Sequence, residues 1–202
     1  MQAALKRLLD IIISAMGLLI FSPFLLAIAI VIKITSPGPA LFIQERIGKN
    51  GKSFRMYKFR SMVLGSESRT LGKYIHRNEG NITPVGRFLR RWALDELPQL
   101  INVIRGEMSL VGPRPTLRYQ VEKYDERQRK RLLMKPGLTG WAQVNGRNKL
   151  SWPERIELDV WYVENWSIHL DMKIMLMTIP ALLRKEFAFA EEDVSDEIVR
   201  VD

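Results

Sequence analysis

The sequence predicts an α+β protein: an N-terminal re-entrant membrane helix, a compact domain of helices with a small β-hairpin, and amphipathic helices seated at an interface. Three observations predict it. Residues 11–32 carry no charge and are interrupted at Ser22-Pro23. Residues 41–47 and 53–62 read as strands about the turn Gly48-Lys49-Asn50-Gly51-Lys52. From Leu97 onward, apolar residues recur at helical spacing between glycine and proline breaks. The chain divides on this pattern into a membrane helix at 1–35, a folded unit at 36–190 and an acidic tail at 191–202.

Residues 8–34 could cross a bilayer by length alone, since about 20 apolar residues suffice. Two features favour re-entry. Pro23 lies mid-segment, where proline costs a helix roughly 3 kcal/mol, although proline-kinked crossings exist. Both flanks are cationic, Lys6 and Arg7 before and Lys33, Arg46, Lys49, Lys52 and Arg55 after, so neither end suits the outer side. The two arms reach only about 21 and 16 Å at 1.5 Å per residue. Each is shorter than a hydrocarbon core of roughly 30 Å. The Ser22 hydroxyl is placed to serve a carbonyl that Pro23 leaves without a donor. No small-residue cleavage site follows, so a signal peptide is not expected.

After the turn Ser36-Pro37-Gly38-Pro39 comes the hairpin. On its second strand Lys58 and Arg60 share a face, where they cradle a phosphate or line a solvated edge. Residues 63–80 are polar and read as a surface helix and loop, with no chemistry assigned to His76.

The centre of the chain is residues 86–115. Asp95 and Glu96 stand between Arg87, Arg90 and Arg91 on one side and Arg105 and Arg114 on the other. Pro98 suits the first turn of a helix whose apolar face is Leu97, Leu100, Ile101 and Ile104. Both carboxylates are then expected at a helix N-terminus, where the dipole favours the ionised form. Acidic residues there often do no more than complement the dipole. The arginines and the following Gly112-Pro113-Arg114-Pro115 loop point to attack on a phosphate, or to a metal ion that carries one.

Residues 108–111 read as a short buried strand. The prolines around Arg114 restrict its backbone, either to present a guanidinium to phosphate or as a plain rigid turn. Residues 118–133 read as a charged, solvated helix. Residues 141–144 suggest a strand, and Asn145-Gly146 a tight turn that delivers Arg147. Ser151 and Glu154 have capping-box spacing, so a helix is expected from Pro153 to about Asn165, with Asp159 inside it. Residues 168–185, interrupted by Pro180, form an amphipathic helix suited equally to core packing and to lipid.

Composition limits the function classes. With 31 Lys+Arg against 22 Asp+Glu, the net charge is +9 over 202 residues. That suits nucleic acid, an anionic membrane surface or a phosphorylated substrate. No nucleic-acid motif accompanies the charge, so no nucleic-acid partner is expected. The absence of cysteine excludes disulfides, thiolate catalysis and cysteine metal sites, and two histidines are too few for a histidine-rich zinc site.

These pieces together resemble the bacterial sugar transferase family, monotopic phosphoglycosyl transferases that start glycan assembly on polyprenol phosphate. The carriers are Ser22-Pro23, Tyr57-Lys58-Phe59-Arg60-Ser61-Met62, Val85-Gly86-Arg87-Phe88-Leu89-Arg90 and Leu94-Asp95-Glu96-Leu97-Pro98-Gln99. They continue through Met108 to Pro115, Lys135-Pro136-Gly137-Leu138-Thr139-Gly140 and Asp159-Val160-Trp161-Tyr162-Val163. The resemblance implies a helix bent at Ser-Pro and a Mg2+-dependent transfer of a sugar phosphate from a UDP-sugar to undecaprenyl phosphate. It implies Asp95 as nucleophile and metal ligand, with a phosphosugar-aspartyl intermediate and release of UMP, and Glu96 as its dyad partner. Lys58, Arg60, Arg87, Arg114, Arg147 and Asp159 are the substrate- and phosphate-binding candidates. It further implies contact with bacterial membrane lipid at the cytoplasmic face of the inner membrane, with downstream glycosyltransferases as partners. Ala93 departs from the hydroxyl residue often found before Leu-Asp-Glu, which removes a helix cap worth about 1 kcal/mol.

Two rival readings compete. A metal-dependent nucleotide-sugar pyrophosphatase has no use for Ser22-Pro23 or the paired cationic flanks. A membrane scaffold that binds anionic lipid has no use for a carboxylate pair among arginines.

Overall fold

A long apolar helix lies along an α+β body in the computed structural model, which describes residues 2–66, 81–146 and 149–183. Arg147, His76 and the tail at 191–202 lie outside the described residues.

The helix α1 (Gln2–Thr35) runs through Pro23 without interruption, about 51 Å at 1.5 Å per residue. Ser22 donates its hydroxyl to the Leu19 carbonyl at 2.9 Å. That carbonyl is the acceptor a residue at position 23 would serve, and proline has no N–H to offer it. Most of the helix surface faces outward, with Leu8, Met16, Leu19, Ile20, Leu26 and Ile34 exposed. One stripe at three- and four-residue spacing meets the body. Asp10 and Leu18 contribute from the first half, and Leu25, Ile28 and Ile32 from the second. Both halves of α1 therefore rest on the same body.

Strands β1 (Leu41–Ile47) and β2 (Ser53–Phe59) pair antiparallel, Leu41 opposite Phe59 and Ile47 opposite Ser53. Asn50 (φ 56°) and Gly51 (φ 74°) supply the left-handed residues that close the hairpin. The second strand ends at Phe59 rather than near 62, because Met62 bridges to Ile82 instead. Helix α2 (Pro84–Arg91) starts on a Thr83 cap with proline at its first position. Gly86 allows it to approach the Ser61 backbone; a Cβ there would stand 1.9 Å from the Ser61 carbonyl oxygen.

A single 3-10 turn, Leu94–Glu96, then precedes α3 (Gln99–Arg105), with Pro98 as the residue ahead of the helix. Fully buried Asn102 fastens α3 to β2: it accepts from the Tyr57 N–H at 3.1 Å and donates to the Arg55 carbonyl at 2.7 Å. Strand β3 (Ser109–Val111) pairs parallel with β4 (Gly137–Thr139), as the expected buried strand. Gly112 and Gly137 pack so closely that a Cβ on Gly137 would lie 2.1 Å from the Gly112 nitrogen.

Two expectations change. Residues 118–133 are not one solvated helix but α4 (Arg118–Glu122), α5 (Glu126–Arg129) and a 3-10 turn, because Asp125 caps a new start. Residues 141–144 form not a strand but a helical turn, α6 (Trp141–Val144), whose Trp141 carbonyl is served by the Asn145 side chain at 2.8 Å. Helices α7 (Trp152–Glu164), opened by the Ser151–Glu154 capping box, and α8 (Ile168–Leu183) complete the body. Its core joins Met56, Leu100, Val103, Met108, Val111, Tyr162 and Ile174.

Candidate active site

The 3-10 turn buries two adjacent carboxylates, Asp95 and Glu96, each 8% exposed. Buried carboxylates require partners, and these have cations. Glu96 Oε1 accepts from Lys58 Nζ at 3.1 Å and from Arg114 Nη2 at 3.0 Å. Asp95 lies in the field of the same two cations. Burial lowers the Lys58 ammonium below the usual lysine range, while Glu96 works against that shift. Glu96 holds Arg114 above its ordinary value. The Arg114 side chain is still 39% exposed, so its unused donors can meet a substrate.

Ala93, just ahead of the turn, adopts the left-handed conformation (φ 53°, ψ 23°) and makes no side-chain cap. A non-glycine residue there stores strain, which the surrounding structure holds in place beside the two carboxylates.

Arg114 is braced from behind. The Gly112 N–H donates to the Thr139 carbonyl at 2.9 Å, and the Gly137 N–H to the Pro113 carbonyl at 2.8 Å. The Arg114 carbonyl accepts from Arg131 Nη2 at 3.1 Å. Arg131 is itself buried, paired with Asp159, bonded to the Tyr124 hydroxyl and lying against the Tyr124 and Trp152 rings. Burial pushes the Asp159 carboxyl up, and the Arg131 guanidinium opposes it.

The structure thus brings Asp95, Glu96, Lys58 and Arg114 together. The Arg60 guanidinium is buried and donates to the Ser36 and Pro37 carbonyls at 2.8 Å, so it clamps the end of α1. Asp159 is 1% exposed and paired with Arg131, so it supports the Arg114 loop from behind. Arg87 is exposed on α2, the helix leading into the carboxylate turn. Sequence reasoning missed Arg131, whose charged neighbours suggested a solvated face. It also missed Arg46, pulled down to about 10 by burial and by the nearby Arg114.

No cluster of three acidic or histidine ligands occurs among the described residues. Two adjacent carboxylates fit magnesium, which takes one or two from the protein and fills its shell with water and substrate phosphates.

Fold and site define an α+β protein built on one long apolar helix, with a buried carboxylate pair set among cations. The chain belongs to the bacterial sugar transferase family, whose profile matches residues 1–185. It is 44% identical over 182 residues to the uncharacterized sugar transferase EpsL of Bacillus subtilis, covering 90% of this chain and 89% of that one. It is 42% identical over 200 residues to the undecaprenyl-phosphate galactose phosphotransferase of Salmonella typhimurium, covering 92% of this chain. It is 43% identical over 183 residues to the UDP-glucose:undecaprenyl-phosphate glucose-1-phosphate transferase of Escherichia coli, covering 87% of this chain. The chain spans 42% and 39% of the lengths of these last two relatives.

Proposed function

We propose that this protein transfers a sugar 1-phosphate from a UDP-sugar to undecaprenyl phosphate, releasing UMP, at the cytoplasmic face of a bacterial inner membrane. One observation carries the reading: two adjacent buried carboxylates, one pinned by Lys58 and Arg114, in a turn held beside a long lipid-suited helix. The names of the relatives supply the donor and acceptor classes.

The pinned member, Glu96, fixes the two cations, and Asp95 acts as nucleophile. An Asp95 oxygen forms a bond to the sugar-bearing phosphorus, and the bond from that phosphorus to the bridging oxygen breaks, so UMP departs with the electron pair. An oxygen of undecaprenyl phosphate then attacks the same phosphorus and releases the Asp95 carboxylate. Arg114 and Lys58 neutralise charge that would otherwise repel an anionic nucleophile from a diphosphate. Magnesium held by Asp95, and by Glu96 where it is not spent on cations, would supply further neutralisation.

Helix α1 is proposed to enter and leave the membrane by one face. Support comes from its cationic flanks, from Ser22-Pro23 and from the packing of both halves against the same body.

The test is incubation of the full chain with a panel of UDP-sugars and magnesium, without acceptor. Intact mass should show a phosphosugar adduct, peptide mapping should place it on Asp95, and undecaprenyl phosphate should discharge it. Asp95→Asn should lose the adduct and at least about a thousandfold in turnover. UMP release without any adduct or lipid dependence would replace this reading with hydrolysis.

A further inference from the structure

Away from the carboxylate turn, Gly106 ends α3 in the left-handed region, φ 83°. Two cations meet beside it. A Cβ on Gly106 would lie 3.3 Å from Arg7 Nη2 and 3.5 Å from Lys135 Nζ, so a single phosphate can reach both. Arg7 donates to the Val103 carbonyl at 2.6 Å and the Ile104 carbonyl at 2.8 Å. A guanidinium has five N–H donors, so others remain. Lys135 makes no hydrogen bond or ion pair with the described residues.

The charge around this pair is unbalanced. Burial lowers the Lys135 ammonium, and Arg7, Lys49 and Lys6 add like charge, with Asp10 in opposition. Asp10 is already engaged by the Ser109 hydroxyl at 3.1 Å and the Leu110 N–H at 3.0 Å. Such a cluster of cations attracts an anion.

Its surroundings say which anion. On the turns of α1 about Arg7, Leu5, Leu8, Ile11 and Ile12 are exposed, and so is Ile104 at the end of α3. Paired cations bordered by exposed aliphatic side chains match a charged head carried on acyl chains. We propose that Arg7 and Lys135 hold the phosphodiester headgroup of an anionic phospholipid, with its acyl chains along the exposed apolar face of α1. Lys135 leads directly into Pro136 and Gly137, the segment hydrogen-bonded to the Arg114 loop, so an occupied site steadies that loop. The proposal rests on the reading that α1 lies in lipid.

The experiment uses the full chain in nanodiscs of phosphatidylcholine and phosphatidylglycerol mixed equally, with co-purifying lipid counted by native mass spectrometry. Wild type should retain phosphatidylglycerol several-fold over phosphatidylcholine. Lys135→Gln should cut that preference about fivefold, the worth of one basic contact at a lipid surface, and Lys135→Arg should keep it. Arg7→Gln should do the same as Lys135→Gln, with thermal stability followed because Arg7 also clamps α3. Equal retention of the two lipids by wild type, or retention unchanged in Lys135→Gln, would overturn the proposal. So would displacement of the lipid by millimolar inorganic phosphate, which marks a free-phosphate site. A raised KM for undecaprenyl phosphate in Lys135→Gln, with phosphatidylglycerol retention intact, would give the site to the acceptor instead. Failure to enter nanodiscs of either lipid would sink the membrane reading itself, a result distinct from entry without preference.

Discussion

Arg131 donates to the backbone carbonyl of Arg114 at 3.1 Å, so one buried arginine braces the loop that presents another. The bracing arginine is held in turn by Asp159, between aromatic rings. A chain of contacts therefore runs from Asp159 on α7 through Arg131 and Arg114 to Glu96.

Breaking that chain at Asp159 should be costly. Asp159→Asn leaves the Arg131 charge buried without its counter-ion, which costs about 3–5 kcal/mol. For a domain of this size the melting temperature should fall by roughly 6–20 °C, at about 2–4 °C per kcal/mol. Replacing both partners together, Arg131→Met with Asp159→Leu, should recover much of the stability while activity stays low, because the Arg114 carbonyl has lost its donor. Calorimetry on the single and double variants decides it; equal losses in both would mean the pair contributes nothing through its charges.

The second prediction concerns pH. Lys58 is pushed below the usual lysine range by burial, and Glu96 holds it up. Below that lowered value the ammonium is charged and activity is level. As pH rises through it the charge disappears and activity falls, giving an alkaline limb. Glu96→Gln removes the opposing carboxylate, so the limb should move to lower pH, with turnover at neutral pH down roughly tenfold to a hundredfold through misplacement of Lys58 and Arg114. A limb that stays in place in Glu96→Gln would assign it to a group other than Lys58.

Ala93 offers a test of stored strain. Its left-handed backbone costs an L-residue about 1–2 kcal/mol, and glycine removes that cost while adding entropy to the unfolded chain. Ala93→Gly should then stabilise by about 0.5–1 kcal/mol net, seen as a rise of a few degrees in melting temperature. Ala93→Val should lower it. A fall in Ala93→Gly would show that the alanine methyl contributes more than the strain it bears.

Local patterns were legible in the sequence and long-range pairings were not. The hairpin, the buried strand at 109–111 and the capping-box helix followed from alternation, spacing and turn residues. Asp95 and Glu96 stood out because their arginine neighbours are close in sequence. Arg131 and Asp159 are 28 positions apart, and Arg60 reaches Ser36 across 24, so no periodicity reveals either pair. Residues 141–144 misled because a short apolar run fits a strand or a helical turn equally. The Asn145 side chain that serves the Trp141 carbonyl decides between them.

The last prediction returns to α1. Its helix continues through Pro23, and the acceptor that proline cannot serve is taken by the Ser22 hydroxyl. The serine therefore offsets part of the proline's cost and leaves a helix that is weakened, yet satisfied, at its middle. Single cysteines can be placed near the N-terminus and just after Ser36, since the chain has none of its own. In right-side-out and inside-out vesicles, both should react with an impermeant maleimide only from the cytoplasmic side. Replacing Ser22 and Pro23 together with Ala and Leu restores a full ladder of backbone bonds and about 20 apolar residues, enough to cross. That variant should shift part of the N-terminal label to the outer side, though Lys6 and Arg7 resist translocation. Its activity should fall in proportion, because Lys6 pairs with Asp171 at 2.6 Å and Asp10 accepts from Leu110, and neither contact survives transfer of the N-terminus. Outside labelling of the wild-type N-terminal cysteine would establish a crossing helix and overturn the re-entrant reading, whatever the variant does.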